Sequence, residues 1–128
     1  MDTSRHEAVL RQVHRDASSA SIQEVSQLLQ EVLSRRLTAY IAGVRDGKTV
    51  TRWASGEVTE IRNHETEQRL RTAYEITHLL LAEESPRTVR AWFIGLNPQI
   101  DDTPPAEAIA EGRLKDALSA ARAFMVGG

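Results

Sequence analysis

Apolar positions along this chain recur almost everywhere at helical spacing, and no stretch alternates with period two for long. Val9, Leu10, Val13 and Ala17 predict a first helix from about residue 4 to 17, broken by the Ser-Ser-Ala-Ser run at 18–21. Val25, Leu28, Leu29, Val32 and Leu33 then lie at i, i+3, i+4, i+7 and i+8, the stripe of a strongly amphipathic second helix. A long helix is expected from His64 to Glu83, with Asn63 as its N-cap and a stripe of Leu70, Tyr74, Thr77 and Leu81 widened by Ala73, Ile76 and Leu80. Ser85-Pro86 marks the next start, a capping hydroxyl before proline at the first helical position. Its stripe is Val89, Trp92, Phe93 and Leu96, stopped by Gly95 and Asn97-Pro98. A short helix begins near Pro105 and ends at Gly112, and an amphipathic one from Leu114 to Met125 leads to a Gly-Gly tail. The pattern predicts an all-α fold.

Residues 37–56, LTAYIAGVRDGKTVTRWASG, spell out a helix-turn-helix. Leu37, Tyr40, Ile41 and Val44 form one expected buried stripe, with Tyr40 taken as structural. Gly43 and Asp46-Gly47 supply residues that tolerate a turn. A second short helix, Lys48 to Ser55, turns Val50 and Trp53 inward and leaves Lys48, Thr49, Thr51, Arg52 and Ser55 outward. A helix with an apolar back and a front of hydroxyls and cations suits the DNA major groove, whose base edges present donors and acceptors. Arg35 and Arg36 at the start of the first motif helix, and Arg45 in the turn, are candidates for phosphate contact. The connector 56–63 carries Val58 and Ile61 as expected core plugs.

Charge sharpens that picture. Net charge over 128 residues is −2, yet residues 34–72 hold eight Lys/Arg against five Asp/Glu, a local +3 around the second motif helix. Residues 1–33 and 101–128 each carry five acids and three bases, −2 apiece. Positive charge is thus gathered where phosphate binding needs it, and its modest size predicts a homodimer reading two half-sites. Hydrophobic content of 41% and 27% charged residues suit a folded soluble domain. Cysteine is absent, which excludes a disulfide framework and fits a reducing cytoplasm. No apolar run approaches the ~20 residues that span a bilayer, and the amino terminus lacks a signal-peptide core, so a cytoplasmic protein without membrane contact is expected. His6, His14, His64 and His78 have no metal-ligand spacing, and no phosphate loop or nucleophile elbow occurs. Neither a cofactor nor an enzyme is expected.

Two segments carry a family resemblance. LTAYIAGV, KTVTRW and ASGE resemble an Xre-type helix-turn-helix. The carboxy-terminal part is similar to the toxin-binding domain of Xre/MbcA/ParS-type antitoxins, through Trp92-Phe93, the Leu96-Asn97-Pro98 turn, Pro105-Ala106-Glu107, Gly112 and the last helix. Together they cover residues 34–128. The resemblance implies a helix-turn-helix over 34–63 and a helical toxin-binding or dimerisation domain over 64–128; residues 1–33 fall outside it and read as an amino-terminal helical extension. It further implies an antitoxin paired with a RES-domain toxin that consumes NAD, whose active site the carboxy-terminal region would occlude, and a repressor of its own promoter. Lys48, Thr49, Thr51 and Arg52 would then contact double-stranded DNA. The surface around Trp92 and Asn97, with Arg122, Phe124, Met125, Gly127 and Gly128, would contact the toxin. The neutral Gly127-Gly128 end favours steric plugging over mimicry of NAD phosphates. Two alternatives stand beside this reading: a stand-alone transcriptional regulator, and an adaptor that binds a protein partner without DNA.

Overall fold

Side-chain caps set most helix starts in the chain. The computed structural model describes residues 3–127, which form eight α-helices and one 3-10 turn, with no strand among the described residues. They are α1 (Thr3–Ser19), α2 (Ile22–Leu33), α3 (Arg35–Ala42), α4 (Gly47–Ser55), α5 (His64–Leu81), α6 (Pro86–Ile94), the turn Pro98–Ile100, α7 (Pro105–Ala110) and α8 (Leu114–Met125). Ser21 opens α2 with a reciprocal capping box: its hydroxyl accepts from the Glu24 amide, and the Glu24 carboxylate accepts from the Ser21 amide, each at 3.0 Å. Asn63 and Ser85 cap α5 and α6 by accepting from the Thr66 and Thr88 amides, as their positions predicted. Ser34 caps α3 at φ +95, a left-handed conformation that no local signal announced.

α5 is the spindle of the molecule. It packs against α1, α2, α3, α6, α7 and α8, and it buries residues around most of its circumference from Leu70 to Leu80. One apolar cluster runs from Ala17 through Leu29, Ile41, Trp53, Ile76, Phe93 and Ile109 to Ala121, across the expected boundaries at 33 and 63. Ala117, Ala120 and Ala121 supply the buried face of α8, small enough for close approach to α5. Two arginines fasten helix ends to this frame. Arg71 donates to the carbonyls of Ala17 and Ala20 at 2.9 and 2.7 Å, and Arg90 to that of Val32 at 3.1 Å, serving carbonyls that helix ends leave without partners.

Several expected core positions lie elsewhere. In α3 the buried face is Thr38, Ala39, Ile41 and Ala42, and Tyr40 is 50% exposed. The stripe is rotated because α3 is wedged among α2, α4, α5 and α7, which leaves the Tyr40 side outermost. Leu96 falls beyond the end of α6 at Ile94 and is 74% exposed, so its helical register no longer decides its side. In α1, Val9 is exposed and only Ala17 of the predicted stripe is buried, since α1 rests mainly on α5. Val58 is exposed as well, whereas Ile61 packs against the core.

Candidate functional site

The turn between α3 and α4 is built from residues chosen for backbone geometry. Gly43 ends α3 at φ +81, where its amide donates to the Ala39 and Tyr40 carbonyls. Asp46 then caps α4, its carboxylate accepting from the Lys48 amide at 2.9 Å. Gly47 makes room rather than a bend: a Cβ there would stand 3.0 Å from Nε of Arg35. Through that gap Arg35 reaches α4 and donates to the Thr51 hydroxyl at 3.3 Å.

α4 buries Val50, Trp53 and Ala54 against α2 and α3. Gln27 of α2 donates to the Ala54 carbonyl at 2.9 Å and so ties down the far end of α4. The opposite face carries Lys48, Thr51, Arg52 and Ser55, all exposed, with Thr49 half-buried at its edge. Among the described residues no helix covers this face. Arg52 stands 3.6 Å from Glu57 with both side chains more than half exposed, a solvated pair of little energetic weight that does not commit the guanidinium. Ser55 donates to the Arg52 carbonyl and accepts from the Glu57 amide, which finishes the helix end before Gly56 at φ +85. Arg36 and Arg45 line a groove of about 330 Å³ with Tyr40 beside the turn. Partial burial, then the nearby carboxylates of Glu107 and Glu111, hold the Tyr40 phenol above its usual range. It therefore remains a neutral hydroxyl donor near neutral pH.

The carboxy-terminal candidates form a surface of opposite character. Trp92 is half-buried, edge-on to Phe93 at a centroid distance of 5.2 Å and tilted over Phe124 at 6.4 Å. Ile94 and Leu96, which follow it in the chain, and Val126, which follows Phe124, are exposed apolar side chains. Phe124 and Met125 pack partly against the core, while Arg122 and Gly127 are exposed. Gly128 lies outside the described residues. Asn97 is buried, and its Oδ1 accepts from the Gln99 amide at 2.9 Å, so it shapes the turn, while Leu96 beside it is exposed. Sequence reasoning put Leu96 on the buried stripe of α6 and did not name Val126 as surface. The available signal was Gly95, which ends the helix and releases Leu96 from its stripe.

Elsewhere, Glu75 of α5 is buried to 5% exposure and meets Nδ1 of His14 at 2.9 Å, joining α1 to the spindle. Among the described residues no group of three or more His, Cys, Asp or Glu side chains is placed to hold a metal ion. No helix among them is long and apolar enough to cross a membrane. In comparisons with protein-family models, curated proteins and solved structures, the chain matched none.

Proposed function

We propose that the chain is a DNA-binding regulator and antitoxin, with α4 as the reading helix and the Trp92–Leu96–Val126 surface as the seat of a protein partner. The reading is carried by one observation: the Lys48, Thr51, Arg52 and Ser55 face of α4 is bare, although the apolar side of the same helix is fully packed. Any surface helix keeps polar residues on its solvent side, but α4 carries only hydroxyls and cations there, with no acid along its length. That composition suits a helix that enters the major groove. The resemblance to Xre/MbcA/ParS-type antitoxins supplies the partner, a RES-domain toxin whose NAD pocket the end of α8 and the 94–98 turn would block. As a homodimer the protein would place two α4 helices on two half-sites of its own promoter.

Co-expression with the product of the adjacent gene tests the antitoxin part, with restored growth and a stable complex as the expected result. A gel shift on the upstream region tests the DNA part: salt-dependent retardation by the native chain, lost in Arg52→Ala. A chain that rescues growth yet shifts no upstream fragment would be an adaptor, whereas one that shifts DNA and captures no partner would be a stand-alone regulator.

A further inference from the structure

We propose that Arg36, Tyr40, Arg45, Glu107 and Glu111 form a self-complementary surface on which a second copy of this chain docks about a twofold axis; this rests on the homodimer of the reading above and names its interface. Tyr40 is the most exposed of the six Phe, Trp and Tyr side chains, although helical periodicity assigns it to the buried stripe of α3. Arg36 precedes it by four residues on the same face of α3, and Arg45 lines one groove with both. From α7 come two acids, Glu107 in its first turn and Glu111 at its carboxy-terminal cap. Both stand near enough for their charge to act on the Tyr40 hydroxyl, after the larger effect of its partial burial. One exposed ring thus has two cations and two anions about it.

None of these four charges is neutralised within the chain: no ion pair or hydrogen bond engages their side chains among the described residues. Unpaired arginines occur elsewhere, but in other surroundings. The groove between α1 and α8 is lined by Arg11, Arg15 and Arg122 with no acid, so two copies would repel there. The grooves of Arg62 and Arg87 contain acids but no aromatic side chain. A twofold contact brings the same patch from both subunits together, so the patch must offer both signs of charge to itself. About an axis at Tyr40, the arginines of each copy can face the acids of the other, and the two rings supply the apolar centre that charge pairs alone lack. Arg36 and Arg45, expected from the sequence at DNA phosphates, are thereby assigned to the second copy. Lys48, Thr51, Arg52 and Ser55 line no part of the groove, so pairing and base reading use different residues.

The test is sedimentation velocity of the full chain over a concentration series, without DNA. The native chain should dimerise, and Arg36→Glu with Arg45→Glu should weaken the dimer about tenfold or more, because every charge in the patch is then negative. Glu107→Arg with Glu111→Arg should weaken it likewise, through a patch that is wholly cationic. An equimolar mixture of the two double variants should recover a dimer of one copy each, a result that no unfolded variant would give. Tyr40→Ala should weaken the native dimer roughly tenfold, and Arg52→Ala should leave it unchanged. Double variants as dimeric as the native chain, or monomers that stay apart on mixing, would overturn this interface and leave the homodimer to another surface. A native chain that stays monomeric at every concentration would overturn both the interface and the homodimer, while the gel shift of Arg52→Ala judges the DNA reading separately.

Discussion

Trp53 and Trp92 each stand beneath one of the two candidate surfaces, and they differ in how completely they are covered. Trp53 is 4% exposed, sealed between α4 and α2, and everything α4 leaves outside is polar. Trp92 is half-buried on Phe93 and Phe124, and Ile94, Leu96 and Val126 in the same two chain segments are apolar and exposed. Where burial is complete the remaining surface is polar. Where it is incomplete, exposed apolar area would gain by leaving water, about 25 cal/mol per Å². The chain thus presents a polar and an apolar surface on one core.

The largest test of that comparison is whether the core is common to both. Phe93→Ala empties a fully buried site and should cost about 3–5 kcal/mol. Urea unfolding followed by far-ultraviolet circular dichroism should show one transition, shifted as a whole; two separated transitions would mean that the surfaces stand on independent cores. Trp53→Ala should approach the same cost, and Trp92→Ala should fall clearly short of it, because part of the Trp92 ring is already in water. Equal losses would erase the contrast. At the reading helix, Arg52→Ala should reduce affinity for the upstream duplex by roughly 1–3 kcal/mol with little change in stability, measured by anisotropy and melting. At the opposite surface, Leu96→Asp should leave stability within about 0.5 kcal/mol and weaken partner capture about tenfold, read by calorimetry on the co-purified complex. If Leu96→Asp lowers DNA affinity instead, the assignment of surfaces is reversed.

The smallest effect concerns the cap of α2, the helix beneath α4. Hydrogen bonds from the Ser21 amide and hydroxyl hold the Glu24 carboxyl below its usual range. A carboxyl lowered in the folded state contributes stability above its unfolded pKa and loses it as pH falls through the folded value. Stability of the native chain relative to Glu24→Gln should therefore decline on acidification below the ordinary carboxylate range, and stay constant from there to neutrality. A difference that grows above neutral pH would contradict this origin.

Much of the architecture was legible because its signals are local. Asn63, Ser85-Pro86, Gly43, Gly56 and Gly112 act on their own backbone or the next turn, and the two inward positions of α4, Val50 and Trp53, are three residues apart. What escaped depends on neighbours distant in the chain. The side that Tyr40 faces is fixed by how α7 and α4 close on α3, and the exposure of Val9 by the lack of close packing on the outer side of α1. Glu75 is charged and sits within an apolar run, so its burial becomes intelligible only when His14 is seen opposite it. Of the candidate site, the outward residues of α4 followed from periodicity. Leu96 did not, because α6 ends at Ile94 and the helical register no longer applies to it.

These two indoles are the chain's entire tryptophan content, and their unequal covering makes Trp92 a local reporter. A ligand settling on the Trp92 side would shield that ring from a dissolved quencher and shift its emission. Duplex bound along α4 would leave the Trp92 signal open to quenching, with Trp53 already shielded in both states. Quenching would thus report on the Trp92 side alone, with buried Trp53 as a constant internal reference.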